Sequence, residues 1–404
     1  MSAAPALRIP PPSFLSEPAT AAVLATLPEA RVAGGAVRDA LAGRTVCDID
    51  LATPRPPDAV MQALAAAGIR VVPTGLEHGT VTAVVDGRGI EVTSLRRDVE
   101  TDGRHARVEF TDDWREDAAR RDFTINALSM GRDGAVFDYF GGIEDLRAGR
   151  VRFVGKAAQR IAEDYLRILR FFRFLARYGR GAPDADASAA IRGGLAGLAG
   201  LSAERVWSEL KRILAAPDPV AAVALMAELG VLAAVLPGDA DPARLAALAA
   251  GAPADPLLRL AAMFTGDVDA LGDRLKLAND ERARLAALRA GPSPQPQNDD
   301  ATVRRMLADT EPDVLIDRAW LAGGDAPGWA GLRARIAAMP RPVFPLEGRD
   351  VLALGLAPGP RVGELLREVR AWWMDRGCTP DGAACRRELE ARVGDDSRLG
   401  ASLP

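Results

Sequence analysis

The chain has 404 residues, of which 48% are hydrophobic and 26% charged, and its formal net charge at pH 7 is −4. This length exceeds what one compact core usually accommodates, so two or more domains are expected. No apolar run approaches the ~20 residues that span a bilayer, and the proline-rich start lacks the pattern of a secretion signal. Three unevenly spaced cysteines argue against a disulfide framework and favour a reducing cytoplasm.

The first predicted elements lead into a glycine turn. Ala19 to Leu27 reads as a short helix, and Val32-Ala33 as the end of an apolar strand. Gly34 and Gly35 permit a tight turn with positive φ, and the residues up to Leu41 have helical composition. Free N–H groups at the start of a helix attract anions. The turn is therefore a candidate phosphate-binding site.

A pair of aspartates follows this turn. The run Val46 to Leu51 alternates like a strand, which predicts that Asp48 and Asp50 point to the same side. Two neighbouring carboxylates raise each other's pKa unless a cation lies between them. A pair of Mg²⁺ ions that bridge a nucleotide triphosphate is the commonest reason to build such a site. The alternative is an edge strand with two exposed acids. Cys47 is expected to be a small buried hydrophobic residue beside the carboxylates.

The next segments predict further strands. Pro56 to Ala67 reads as a helix and Ile69 to Val72 as a strand, and residues 80–85 and 90–95 read as a hairpin. Glu91 on the second hairpin strand is a candidate third metal-binding carboxylate, and the alternative is an ordinary outward-facing residue. Residues 96–107 are strongly charged and predict a mobile loop. His78 and His105 are the only histidines, and neither is expected to be catalytic.

Two motifs resemble one known family. GGAVRDALAGRTVCDIDLAT at 34–53 and RRDFTINA at 120–127 closely resemble signatures of the tRNA nucleotidyltransferase and poly(A) polymerase family, which includes the class II CCA-adding enzymes. The resemblance implies that Asp48 and Asp50 are catalytic and bind Mg²⁺, with Glu91 as a further candidate ligand. It also implies that the glycine turn and Arg38 hold the triphosphate.

The same resemblance gives roles to the second motif. Arg121 and Asp122 would line the nucleotide pocket, and Asn126 would support the sugar or the phosphates. Arginine suits phosphate binding because its planar guanidinium donates to two oxygens and stays ionised.

A basic stretch comes next. Ten cations and only two acids lie between Arg147 and Arg180, a pattern expected for phosphate contacts. Ala157 to Tyr178 predicts one long helix, on which Asp164, Arg167 and Arg170 are neighbours on one face. The plain alternative is a solvated ion pair. EDYLRILRFFRF resembles the family motif of the helix that selects the incoming base without a template.

Base chemistry suggests how this selection works. Cytosine and adenine both present an amino donor beside a ring-nitrogen acceptor, whereas uracil and guanine present the opposite pattern. Asp164 as acceptor and Arg167 as donor would therefore hold CTP or ATP. Each mismatched buried polar group costs on the order of 1–3 kcal/mol. Arg170 and Arg173 would support this pair or reach phosphate.

The remaining sequence is less informative. Ser202 predicts an N-cap for a helix that reaches Leu214 and resembles a fifth family segment, with a supporting role. Beyond Pro217, alanine- and leucine-rich helices predict an all-α region with a boundary at 291–300. Residues 355–363 read as a loop that leads into a helix. The free amides at the start of this helix are a candidate phosphate-binding site, and the alternative is a helix–turn–helix packing unit. Trp372 and Trp373 are expected in the core rather than stacked on RNA.

The resemblance implies an α+β fold, in which an N-terminal nucleotidyltransferase α/β head with a mixed sheet precedes all-α neck, body and tail domains. The predicted boundaries are a loose N-terminal tail at 1–18, the catalytic head at 19–146, the helical neck at 147–216, the body at 217–290 and the tRNA-binding tail at 291–404. The implied activity is template-independent addition of CMP and AMP to the tRNA 3′ end, with CTP, ATP and the tRNA acceptor end as partners and no protein partner.

Three other activities stay open. A poly(A) polymerase and a partial enzyme that adds only CC or only A share the same head, and a catalytically inactive RNA-binding relative shares the fold. The stretch before Glu91 lacks the basic cluster associated with poly(A) polymerases, which favours full CCA addition. Intact Asp48 and Asp50 argue against the inactive relative.

Overall fold

The computed structural model describes residues 4–101 and 106–400. Its contacts divide the chain into two compact units. One unit is Met1–Ala240 with Asp273–Lys276, and the other is Asp241–Gly272 with Leu277–Pro404.

A mixed sheet forms the first part of the chain. The strands are β1 (Leu7–Arg8), β2 (Arg31–Ala33), β3 (Asp50–Thr53), β4 (Arg70–Gly75), β5 (Thr80–Val85), β6 (Arg88–Ser94), β7 (Arg96–Thr101), β8 (Ala106–Phe110), β9 (Leu128–Met130) and β10 (Ala135–Asp138). Eight of them form one sheet in the order β1-β10-β9-β2-β3-β6-β5-β4, and β7 and β8 pair separately. In the large sheet only β3 and β6 are parallel neighbours.

Helices cover this sheet and continue the first unit. They are α1 (Pro18–Thr26), α2 (Gly35–Leu41), α3 (Pro57–Ala66), α4 (Trp114–Ala119), α5 (Gly142–Ala148), α6 (Ala157–Glu163), α7 (Leu166–Tyr178), α8 (Ala185–Gly194), α9 (Ala203–Leu214), α10 (Val220–Glu228) and α11 (Val231–Val235). Alternate residues of the β5–β6 hairpin, such as Val81 and Val92, are buried in one core cluster with Val23 of α1. This is the pattern of a sheet with one covered face.

Aromatic residues pack α7 against the segment that follows α4. Phe123, Phe153, Phe171 and Phe174 form a chain of ring contacts, with centroids 4.8 Å apart for Phe123 and Phe153 and 5.2 Å for Phe123 and Phe174. Phe123, Phe153 and Phe171 are fully buried. This packing fixes the backbone of the RRDFTINA segment beside α7.

The second part of the chain is helical. Its helices are α12 (Pro242–Ala249), α13 (Pro256–Met263), α14 (Val268–Leu275), α15 (Asn279–Arg289), α16 (Asp300–Asp309), α17 (Pro312–Gly323), α18 (Trp329–Ala338), α19 (Gly348–Leu352), α20 (Pro360–Asp375) and α21 (Gly382–Gly400). Trp373 is buried, and its indole N–H donates to the Pro380 carbonyl at 3.1 Å. Trp372 packs against the same cluster, so the prediction of a core position is confirmed. None of the helices in the described residues has the length and apolarity needed to cross a membrane.

The α+β class and most predicted elements are confirmed, including α1, α3, the β5–β6 hairpin and α9 with its Ser202 cap. The loose tail at 1–18 is wrong for residues 7–16. Leu7–Arg8 pairs with β10, and Phe14 and Leu15 are buried. The apolar side chains between the prolines pack against the sheet. Their burial orders this segment, although its proline-rich composition predicts irregular structure.

The predicted mobile loop at 96–107 is also wrong in part. Residues 96–101 and 106–110 are the antiparallel strands β7 and β8, whose register runs from Arg96 opposite Phe110 to Thr101 opposite Ala106. Residues 102–105, including His105, lie outside the described residues. The strands form because the two segments pair with each other, and the composition of the segment did not indicate this pairing.

Candidate active site

The glycine turn connects β2 to α2. Gly34 has φ of +65°, and its N–H donates to the Leu128 carbonyl at 2.9 Å. A Cβ atom at this position would lie 2.7 Å from Nη1 of Arg121. Glycine is therefore required here both by the backbone conformation and by the approach of a guanidinium group.

The carboxylates lie on two neighbouring strands. Asp50 begins β3 and stands in register with Glu91 of the parallel strand β6. Asp48 precedes the strand, so the prediction that it shares one strand face with Asp50 is wrong. Strand β2 has three residues, and within β3 it pairs with Leu51 and Ala52. It is too short to reach residues 46–49, which therefore have no partner strand on that side. Cys47 is exposed, contrary to the predicted burial.

The three carboxylates nevertheless interact. Desolvation raises the pKa of Asp50 above its ordinary value, the Glu91 and Asp48 carboxylates raise it further, and Arg121 opposes them. The raised pKa therefore reflects mainly the burial of Asp50 and, to a smaller extent, repulsion between the acids, and a bound cation would stabilise the ionised carboxylates. In the described ranges, no group of three His, Cys, Asp or Glu side chains is arranged as a complete metal site. A cation held here would take its remaining oxygen ligands from a phosphate or from water.

Asp122 is a buried hub between α7 and the sheet. It accepts hydrogen bonds from Arg170 Nε at 2.8 Å, Asn126 Nδ2 at 2.9 Å and the Phe123 N–H at 2.9 Å. Burial raises the pKa of Asp122, but the Arg170 charge and these hydrogen bonds hold the pKa below the ordinary value. The carboxylate is therefore ionised and engaged within the protein, although it borders the cavity described below.

The hydrogen bonds continue from Asn126 to α2. Asn126 Oδ1 accepts from Arg38 Nη1 at 2.5 Å, and Arg38 Nε donates to Asp39 at 3.1 Å. The Tyr178 hydroxyl donates to the same Asp39 carboxylate. Since Arg170 and Tyr178 both belong to α7, the contacts form a closed ring, which we call the α2–α7 ring: Arg170, Asp122, Asn126, Arg38, Asp39 and Tyr178. This ring fixes the glycine turn relative to α7.

The predicted long helix at 157–178 is wrong. Asp164 has extended backbone angles, φ −157° and ψ 107°, and separates α6 from α7. Its Oδ1 accepts from the Leu166 N–H at 3.0 Å, which satisfies one of the free donors at the start of α7. The alternative of a direct ion pair between Asp164 and Arg167 is wrong for the described residues. Arg167 Nη1 instead donates to Glu163 Oε2 at 2.6 Å and to the Arg160 carbonyl at 2.9 Å.

Arg173 is directed toward α9. Its Nη1 donates to Oε1 of Glu209 at 3.0 Å, and Glu209 is only 4% exposed. Burial lowers the pKa of Arg173 to about 10, despite the nearby Glu209 carboxylate, which raises it. The pair joins α7 to α9.

One cavity of about 740 Å³ brings the predicted nucleotide-binding residues together. All ten lie in its lining, namely Gly34, Gly35, Arg38, Arg121, Asp122, Asn126, Asp164, Arg167, Arg170 and Arg173. Asp48, Asp50 and Glu91 do not line it, but Arg121 belongs to the lining and acts electrostatically on Asp50. Nine arginines and two aspartates line the cavity. Acids outside the lining pair with several of these arginines, but the guanidinium groups retain donors suited to a polyanion.

Sequence reasoning missed several lining residues, which are Arg120, Phe174, Arg177, Tyr178, Arg205 and Arg212. Arg205 donates from Nη2 to Asp164 Oδ2 at 2.8 Å. The available signal was the glutamate–arginine pair that opens the fifth family segment. The sequence predicts only a supporting role for that segment, because the segment lies far along the chain from the base-selecting motif and the contact between Arg205 and Asp164 is not visible in either one.

Comparisons with known proteins agree with this arrangement. The family model described as "Poly A polymerase head domain" matches residues 30–152, and the model described as "Probable RNA and SrmB- binding site of polymerase A" matches residues 183–241. The mitochondrial CCA tRNA nucleotidyltransferase 1 of Mus musculus is 40% identical over 370 residues, covering 86% of this chain and 83% of its own. The CCA-adding enzyme of Geobacillus stearothermophilus is 31% identical, covering 87% of this chain and 94% of its own.

Solved structures give the same result. The crystal structure of the Bacillus stearothermophilus CCA-adding enzyme in complex with CTP superposes with a TM-score of 0.77 and 28% identity, covering 95% of this chain and all of the other. A Thermotoga maritima CCA-adding enzyme complexed with tRNA has a TM-score of 0.65 at 20% identity, covering 90% of this chain and 91% of its own, and supports the fold alone.

Proposed function

Since the chain belongs to the tRNA nucleotidyltransferase and poly(A) polymerase family, we propose that it is a template-independent CCA tRNA nucleotidyltransferase. It adds CMP and AMP from CTP and ATP to the tRNA 3′ end and releases pyrophosphate. The observation that carries the proposal is an arginine-rich cavity lined by residues from all three motifs. The relatives named CCA tRNA nucleotidyltransferase favour this activity over poly(A) synthesis.

The triphosphate is assigned to the sheet side of the cavity. The Gly34-Gly35 turn, Arg38 and Arg121 lie there, and Arg121 both approaches Gly34 and acts electrostatically on Asp50. Guanidinium groups bind phosphate oxygens in pairs and stay charged when partly buried. We assign Asp122 and Asn126 to the α2–α7 ring that holds Arg38 and Arg170, rather than to direct nucleotide contact, because their polar atoms are already paired.

Asp48 and Asp50, with Glu91 as a further candidate, fit a magnesium site. They offer only oxygen atoms, which are the ligands that Mg²⁺ prefers, and Asp50 stands in register with Glu91 on the neighbouring parallel strand. The chemistry that Mg²⁺ supplies when bound is the lowering of the pKa of the primer 3′-hydroxyl and the neutralisation of charge on the leaving pyrophosphate. The protein's own task is to present these carboxylates beside the arginine-lined cavity.

Base selection is assigned to Asp164 and Arg167. Both line the cavity, and both retain hydrogen-bonding capacity. Asp164 accepts one hydrogen bond on each oxygen, and Arg167 uses only Nη1 of its guanidinium in the contacts of the described residues. An amino group and an adjacent ring nitrogen would complete these sites. Uracil or guanine would leave opposed like partners, at about 1–3 kcal/mol for each unpaired group.

One incorporation experiment separates the candidate activities. The protein is incubated with Mg²⁺, a tRNA that lacks its 3′ CCA and each labelled nucleotide, singly and as CTP with ATP. CCA addition requires CTP first and then gives three added nucleotides in order. Long AMP tracts would indicate a poly(A) polymerase, addition that stops at CC or needs a CC end would indicate a partial enzyme, and no incorporation would indicate an inactive relative.

Variants test the assigned roles. Asp48→Ala and Asp50→Ala are expected to abolish incorporation with tRNA affinity nearly unchanged, whereas Asp58→Ala, an exposed aspartate on α3, keeps both. Equal loss of tRNA binding and incorporation in Asp48→Ala would indicate a structural role. Asp164→Ala is expected to relax selectivity for CTP and ATP more than it slows the reaction.

The cytoplasm is the compartment we propose, on the grounds of the free cysteines and the composition. Relatives from Mus musculus and Homo sapiens carry the word mitochondrial in their names. Fractionation of cells that express the tagged full chain distinguishes the two compartments.

A further inference from the structure

We propose that Arg205 is a positioning residue for base selection, which holds the Asp164 carboxylate in the orientation that accepts a hydrogen bond from the amino group of cytosine or adenine. The proposal rests on the proposed function, in which Asp164 contacts the base. It assigns a specificity role to a residue of α9.

The two oxygens of Asp164 are held from different directions. Oδ1 accepts from the Leu166 N–H at 3.0 Å, and Oδ2 accepts from Arg205 Nη2 at 2.8 Å. Two contacts on separate oxygens fix both the position and the plane of the carboxylate. A carboxylate has about four acceptor sites, so each oxygen keeps capacity for a further donor that enters the cavity.

Arg205 is the only side chain that donates to Asp164 among the described residues. The neighbouring Arg167 donates to Glu163 instead. Asp164 also lies between two helices with an extended backbone, so no continuous helix fixes its side chain. The orientation of the carboxylate therefore depends on the Leu166 N–H and on one side-chain contact from outside the motif.

The helix that carries Arg205 is firmly held. The Ser202 hydroxyl caps α9 by accepting from the Arg205 N–H at 3.4 Å. Val206 and Leu210 are fully buried, and Glu209 of the same helix pairs with Arg173 at 3.0 Å. The side chain of Arg205, which is 32% exposed, thus lines the cavity from a helix that is firmly held.

A competing interpretation makes the opposite prediction. If Arg205 simply occupied the acceptor that the base needs, its removal would tighten CTP binding and preserve selectivity. The contact of one Nη2 with one oxygen leaves acceptor capacity free, which favours positioning over competition.

The experiment compares kcat/KM for CTP, ATP, UTP and GTP on tRNA substrates in Arg205→Ala, Arg205→Lys and Asp164→Ala. We expect Arg205→Ala to lower the preference for CTP over UTP at least tenfold, with the KM for tRNA unchanged, and Arg205→Lys to restore part of the preference. The double variant with Asp164→Ala should lose no more preference than Asp164→Ala alone. Arg192→Ala is the matched control, because Arg192 is an exposed helix residue paired with Glu228.

Each other outcome overturns the proposal. A lower KM for CTP with unchanged preference would show competition. An equal loss for all four nucleotides, or a loss that Arg205→Lys does not relieve, would show a purely structural role. If Asp164→Ala keeps the wild-type preference while incorporation persists, Asp164 does not read the base and Arg205 has nothing to position. A wild-type protein without incorporation would instead contradict the proposed function.

Discussion

Replacing Asp122 by asparagine should loosen α7 while leaving the rest of the first unit folded. Asp122, 7% exposed, accepts hydrogen bonds from Arg170, Asn126 and the Phe123 N–H. Asparagine keeps the shape of the Asp122 side chain but removes its charge. Its amide N–H groups replace one acceptor oxygen and would point at donors of the neighbouring groups. Breaking a buried ion pair by removing one partner costs about 3–5 kcal/mol. The retained acceptor and the partial exposure of Arg170 place the expected loss near the lower end, about 3 kcal/mol.

Hydrogen exchange of the α7 amides measures this loss locally, which avoids treating a chain of two compact units as a two-state system. A loss of about 3 kcal/mol corresponds to exchange on the order of 100-fold faster, since each 1.4 kcal/mol is tenfold. Asp133→Asn is the matched control, because Asp133 forms a surface pair with Arg8 in which both side chains are more than half exposed. Such pairs contribute about 0–1 kcal/mol.

Two results would refute this reasoning. Exchange of the α7 amides in Asp122→Asn within threefold of the wild type would show that the hub does not hold the helix. Additive effects of Asp122→Asn and Arg170→Met in a double-mutant cycle would show that the two side chains act separately. Non-additive effects, with a smaller total loss than the sum, are expected.

Three further predictions concern the same unit. Gly34→Ala should raise the KM for CTP more than tenfold, and Gly43→Ala should raise it less than threefold. Both glycines have φ of +65°, but only a Cβ at position 34 would meet Arg121, at 2.7 Å. Equal effects of the two variants would mean that backbone strain alone is responsible. Glu209→Ala should destabilise α9 by about 3–5 kcal/mol by leaving Arg173 buried without its carboxylate, whereas Glu209→Gln costs less and Arg173→Met in the alanine background recovers part of the loss, as followed by hydrogen exchange. The folded pKa of Asp122 is lowered, so its stabilisation is present above the unfolded pKa of about 3.9 and is lost as the pH falls through the lower folded value. The protection of the α7 amides, corrected for intrinsic exchange between about pH 5 and pH 2.5, should therefore depend less on pH in Asp122→Asn than in the wild type.

The sequence predicted which residues meet, but not how they are held. All ten nucleotide-binding candidates line one cavity because they belong to short motifs whose spacing fixes local structure. Alternation at 46–51 predicted a strand through Asp48, but strand length depends on a partner, and β2 has only three residues. The spacing of three across Asp164, Arg167 and Arg170 looked like one helix, because periodicity does not register a single extended residue that caps the next helix.

Contacts between distant segments were beyond the reach of sequence patterns. Arg205 lies 41 residues from Asp164, and Asp122 lies 48 residues from Arg170. The sequence motifs assign Asp122, Asp164 and Arg170 to the nucleotide pocket, but they do not indicate that these side chains pair with protein groups from distant segments. Only the folded chain shows that these charges are satisfied internally.

The α2–α7 ring also sets a length. Arg170 and Tyr178 anchor α7 at two points that are eight residues, about 12 Å, apart along the helix, so the glycine turn and the start of α7 cannot drift independently. For a nucleotide bound between them, the distance from the glycine turn to the start of α7 is therefore constant. Cytosine and adenine differ in size, but the hydrogen-bonded α2–α7 ring does not change its length. The difference must therefore be accommodated by the torsion angles of the nucleotide or by the non-helical Asp164.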